Sequence, residues 1–143
     1  MNVLNKDQTK KILDKLKTQY NISIKPKFLF IQDKDRIFIT SKEFKNLNLS
    51  LYNINNIGLY FGRLVKDKIR LTIDATQLIG KYATKNILKL NSPEEWLKGK
   101  NIKANKTLKD FVIIKHKQDF LGSGKYKNNR IINFVPKYRR IKR

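Results

Sequence analysis

Gly122-Ser-Gly124-Lys125 is the segment whose residue types come nearest to a known chemical device, the glycine loop that wraps a phosphate in backbone N–H groups and a lysine. The complete device also needs a glycine at 119 and a hydroxyl residue after the lysine. Asp119 and Tyr126 stand there, so the nucleotide-loop reading fails. Two readings of Gly122 and Gly124 survive: a bulged strand that lets another part of the chain come close, and a close approach of a sugar-phosphate. The surroundings keep phosphate in view. The last twenty-four residues hold eight cations (Lys125, Lys127, Arg130, Lys137, Arg139, Arg140, Lys142 and Arg143) and no acid. Tyr126 and Tyr138 lie among them, placed either to stack on unpaired bases or to pack locally. A disordered basic tail would not contain Ile131-Ile-Asn-Phe-Val135, which reads as a buried strand, so the charge sits on folded structure.

Residues for bond-making chemistry are missing by comparison. There is no cysteine and a single histidine, His116, which alone supplies neither a metal set nor a triad. Asp33, Asp35, Asp67 and Asp74 fall in expected turns and caps, where local hydrogen bonding accounts for them. The expectation is a protein that is not an enzyme, with no catalytic residue, no metal site and no cofactor. The net charge of +22, from 33 Lys/Arg against 11 Asp/Glu, repels itself and finds relief on a polyanion through counterion release. Residues 1–74 carry 15 bases and 7 acids (+8) and residues 75–143 carry 18 and 4 (+14), so the footprint is expected in the second half. An apolar content of 40% marks a globular chain. No signal-like h-region opens the sequence and no run is long enough to span a membrane, which reads as soluble and cytoplasmic.

The elements that must position these residues are legible in outline. Asn5 and Gln8 form a capping pattern ahead of Ile12, Leu13, Leu16 and Tyr20, predicting a first helix. Apolar runs on either side of Asp33-Lys-Asp35, and again of Val65-Lys-Asp-Lys68, predict two hairpins. Thr40-Ser-Lys-Glu43 predicts a short helix carrying Phe44 and Leu47. Asp74-Ala-Thr-Gln77 predicts a helix capped by Asp74, and Ser92-Pro-Glu-Glu95 one capped by Ser92, with Trp96 in the core and Gly99 as the stop. Ile87–Leu90 and Phe111–Ile114 read as strands, and Lys127-Asn-Asn129 as the turn of a last hairpin. The whole reads as α+β, with a small α+β module over 1–73 and a small barrel over 74–143.

Four blocks carry a likeness to a known family: Glu95-Trp-Leu-Lys-Gly99, Phe111-Val-Ile-Ile-Lys115, Phe120-Leu-Gly-Ser-Gly-Lys125 and Asn133-Phe-Val-Pro-Lys-Tyr-Arg-Arg140. In order and spacing they resemble the PUA-like ribosome-biogenesis proteins related to the C-terminal domain of Sun/Fmu-type RNA cytosine-5 methyltransferases. Residues 1–73 are similar to the pre-PUA module of that family. Tyr138 departs from the pattern, which has an acid there. The resemblance implies a PUA-like barrel that binds RNA, ribosomal RNA first and transfer RNA second, and it adds Lys81 and Lys85 to the RNA face. The methyltransferase's chemistry does not come with it, since the nucleophile is a cysteine thiolate and this chain has none. Two rivals remain. One is a subunit that targets a separate RNA-modifying enzyme, docked through Leu47, Leu49, Leu51 and Tyr52. The other is binding to anionic membranes, disfavoured because the first helix lacks a broad Trp/Phe/Leu face.

Overall fold

The computed structural model describes residues 1–42, 58–105 and 107–142. Helix α1 (Lys6–Tyr20) starts as expected, with the Asn5 side chain accepting from the Gln8 amide and the Gln8 side chain accepting from the Asn5 amide. Asn21 ends it in the left-handed conformation at φ 57°. Five antiparallel strands follow each other in space as in sequence: β1 (Asn2–Val3), β2 (Phe28–Asp33), β3 (Arg36–Ser41), β4 (Leu59–Val65) and β5 (Lys68–Leu71). Both expected hairpins are present, with Lys34 and Lys66 at positive φ in their tight turns. The helix expected after Thr40 and the apolar patch at Leu47, Leu49, Leu51 and Tyr52 lie outside the described residues.

Helix α2 (Ile73–Ile79) differs from the expectation at its start. Its N-cap is Thr72, two residues before Asp74. The Thr72 hydroxyl donates to the Tyr60 carbonyl (2.8 Å) and accepts from the Ala75 amide (3.1 Å), so the cap is chosen by its tie to β4, which local sequence does not contain. The second sheet is ordered β6-β8-β9-β10-β7, with β6 (Ile87–Lys89) parallel to β8 (Phe111–His116) and the other pairs antiparallel: β9 (Asp119–Lys127), β10 (Arg130–Asn133) and β7 (Ile102–Lys103). The short helix α3 (Glu94–Leu97) follows Pro93, with no side-chain cap, so Ser92 does not play the role expected of it. Gly99 ends the turn at φ +92°.

One face of the second sheet and the first sheet share a core. Leu16, Tyr20, Phe30 and Phe61 from the first half cluster with Phe111, Ile113 and Phe120 from the second. The other face of the second sheet holds Trp96, fully buried among Val112, Ile114, Ile131 and Val135, with its indole N–H donating to the Leu121 carbonyl at 2.9 Å. No helix among the described residues is long and apolar enough to cross a membrane.

Candidate nucleic-acid interface

Strand β9 is the axis of the site, and its two glycines are explained first. Gly122 adopts φ +88° and donates its N–H to the Thr76 hydroxyl of α2 at 2.9 Å, with Ile73 seated where a side chain would be. At Gly124 a methyl group would collide with Trp96, Ile131 and the Ile132 carbonyl. Both are buried. The close approach that these glycines permit is therefore made by the protein's own helix and tryptophan. Gly124 leaves the candidate surface, and Gly122 keeps only a place in the wall of a cleft described below.

The eight cations expected as one patch separate into groups. Lys127 lies opposite Arg130, and Arg130 lies opposite Lys103, so three cations stand in one row across β9, β10 and β7. Neighbouring strands are about 4.8 Å apart, which puts these charges side by side. Lys125 shares their face two residues along β9 and is paired with Ile132. All four are exposed, and none of the ion pairs among the described residues involves them. Like charges directly opposite each other destabilise a sheet. A row of phosphates would remove that cost. Lys103 escaped the sequence reading because its neighbour in the row, Arg130, is brought to it only by the long-range pairing of a two-residue strand.

The tail forms a second group. After Asn133 the chain is pinned: the Asn133 side-chain amide donates to the Trp96 carbonyl (2.7 Å) and to the Lys100 carbonyl (3.0 Å). Arg140 packs over Gly99 and donates its Nε to the Val135 carbonyl at 2.9 Å, and the Ile141 amide bonds the Leu97 carbonyl at 3.0 Å. Arg140 is thus a clamp for the tail. Arg139 pairs with Asp74 at 3.2 Å, an acid remote in sequence but adjacent in space, so the tail's charge is partly relieved. Lys137 and Lys142 are exposed, Tyr138 is 86% exposed, and Arg143 lies outside the described residues. Tyr126 points the other way, into the Trp96 cluster, with its hydroxyl on Asn129 at 2.9 Å. That occupation removes it as a stacking platform.

Lys81 and Lys85 make a third group. Helix α2 lies on β9 with Ile73 over Gly122 and Gly80 against the Phe120 ring, so both lysines emerge past the Phe120 end. From there to Lys127 the strand runs about 23 Å at 3.3 Å per residue. Lys85 also donates to the Thr18 carbonyl at 3.1 Å, and the Lys81 ammonium stands 5.2 Å from the Tyr82 ring.

Between the tail and the first sheet opens a cleft of about 390 Å³, lined by β4, β5, the start of α2, β9 and, from the tail, Phe134, Val135, Pro136, Tyr138 and Arg139. Arg70 of β5 holds its guanidinium 4.4 Å over the Phe134 ring inside it. Neither residue was singled out from sequence, because the pair joins the two sheets. His116 bonds the Leu90 carbonyl at 2.9 Å and lies opposite Asp119 across the β8–β9 hairpin, and no metal-binding cluster of three or more His, Cys, Asp or Glu occurs among the described residues.

The small α+β module followed by a second, curled sheet has the architecture of a PUA-like fold. Residues 85–141 match the family model described as the PUA domain of the methyltransferase RsmF. Among solved structures, a conserved PUA domain protein from Thermoplasma acidophilum is similar over 93% of this chain and 92% of that chain, with a TM-score of 0.59 and 14% identity. That likeness is one of fold. No curated protein sequence matches this one.

Proposed function

We propose that this chain binds RNA and performs no bond-making step itself, with ribosomal RNA, in assembly or on the ribosome, as its target in the cytoplasm. The single observation that carries the reading is the row Lys103–Arg130–Lys127 with Lys125 beside it: four exposed cations on three adjacent strands without a carboxylate partner. In that arrangement each cation neutralises one phosphate and fixes the strand's register without reading its sequence. The match to a PUA domain supports RNA as the polyanion, and the resemblance to ribosome-biogenesis proteins supports the ribosomal target. The matched domain is part of a methyltransferase by name, which favours one second reading: a targeting subunit for a separate RNA-modifying enzyme.

Two measurements test this. Replacing Lys103, Lys127 and Arg130 together by alanine flattens the dependence of log K on log salt by about 2–3 units, since each phosphate contact contributes about 0.9. An unchanged slope would remove the row from the interface. Crosslinking in the native cell, sequenced across ribosomal gradient fractions, gives a focused peak on one ribosomal RNA segment. Crosslinks confined to transfer RNA would overturn the ribosomal target, and co-purification of a methyltransferase would favour the targeting subunit.

A further inference from the structure

We propose that the cleft between the two sheets takes a single unpaired nucleobase of the bound RNA, an inference that rests on the RNA-binding reading above. Its volume of about 390 Å³ is at the small end of the range for ligand sites, about 300–1,000 Å³, and suits one flat group. Leu71, Leu121 and Val135 supply apolar wall, Tyr60 supplies ring surface, and Phe134 supports the Arg70 guanidinium that covers it. The only cations among the lining residues are Arg70 and Arg139, and both are already engaged, one over Phe134 and one with Asp74. Asp74 stands in the same wall and opposes a phosphate there. A base needs planes, and the guanidinium of Arg70 is itself a plane on which a base stacks.

Tyr138 is the second observation. It lines the same cleft, yet 86% of its surface is exposed, and its hydroxyl bonds nothing among the described residues. The backbone that carries the ring is nevertheless held in place. It sits in a single 3-10 turn, Lys137–Arg139, fixed by the Arg139 amide on the Pro136 carbonyl (2.9 Å) and by the Arg139–Asp74 pair on its other side. An uncovered aromatic ring carried on a fixed turn at a cleft mouth is a surface on which a base can stack. The route to it is continuous with the cation row. Arg130 and Ile132 share one face of β10, and Phe134 in the cleft wall follows the strand's last residue directly, so row and cleft are separated by about 13 Å of extended chain, four residues at 3.3 Å each. Neighbouring nucleotides of one strand reach both.

The test compares a single-stranded RNA 12-mer with the same sequence as a duplex, and with versions in which one nucleotide at a time is abasic. Tyr138→Ala, at an exposed position, is expected to weaken the single strand roughly tenfold while leaving duplex affinity and the salt slope unchanged. One abasic position is expected to produce a similar loss in the wild type and no further loss in Tyr138→Ala. If Tyr138→Ala binds the single strand as the wild type does, or if every abasic version binds normally, the cleft takes no base, while RNA binding through the cation row stands. If the wild type shows no salt-dependent binding to either RNA, the RNA-binding reading itself falls, and this inference with it.

Discussion

At the scale of single residues, several side chains that read as ligand contacts are parts of the fold. Gly124→Ala forces a methyl group against Trp96 and the β10 backbone, and overpacking of this kind costs about 1–3 kcal/mol. We expect a matching fall in the urea midpoint; an unchanged midpoint would mean that the tryptophan site is loosely packed. Arg139 and Arg140 are neighbours with different jobs. Arg140→Ala should speed hydrogen exchange at the Ile141 amide, because the clamp onto Val135 and Gly99 is lost, whereas Arg139→Ala breaks a half-exposed ion pair with little effect on stability. A double variant confuses tail undocking with loss of RNA contact. Tyr20 is fully buried, and burial pushes its hydroxyl pKa well above the ordinary tyrosine range. Its contribution is whole below the unfolded pKa and declines above about pH 10, where the unfolded chain releases a proton that the folded chain keeps. Tyr20→Phe should therefore lessen the loss of stability between pH 9 and 11 in urea unfolding, relative to the wild type, and identical slopes would contradict this.

At the scale of elements, the hairpin β9–β10 trades stability for charge. Arg130→Glu places an acid between Lys103 and Lys127, and cross-strand pairs of opposite charge are worth about 0.2–1 kcal/mol each. We expect this variant to melt at a higher temperature in low salt and to bind RNA poorly. A fall in both would indicate that the row is held apart in the free protein. The hairpin was legible in the sequence because its cues are local: an Asn128-Asn129 turn, with both residues at positive φ, between alternating apolar residues. So were both earlier hairpins and the capping box of α1. The start of α2 was not, since Asp74 offers a cap as good as Thr72 until Tyr60 is brought beside it. The same limit governed the site. That the C-terminal third is cationic can be read from composition; that Lys103 completes a row, that Asp74 relieves Arg139, and that Arg70 covers Phe134 are all long-range facts.

At the scale of the molecule, the division at residues 73 and 74 separates two sheets, yet the larger core cluster spans both. Tyr20 and Phe61 pack in the same cluster as Phe111 and Phe120, and Ser123 of β9 donates to the Leu71 carbonyl of β5 at 2.7 Å. We expect one cooperative unfolding transition, with Trp96 fluorescence and backbone circular dichroism coinciding, and a fragment 74–143 that does not fold alone. Separate transitions would mean that the shared cluster contributes little. The row of opposed cations has a consequence beyond recognition. A fold that carries uncompensated repulsion is weakest when empty, and whatever occupies the row is also a stabiliser, by RT ln(1 + [L]/Kd). In a cell, copies in excess of their binding sites would be the ones that open and are degraded, so the amount of this protein would follow the supply of its target without a dedicated regulator.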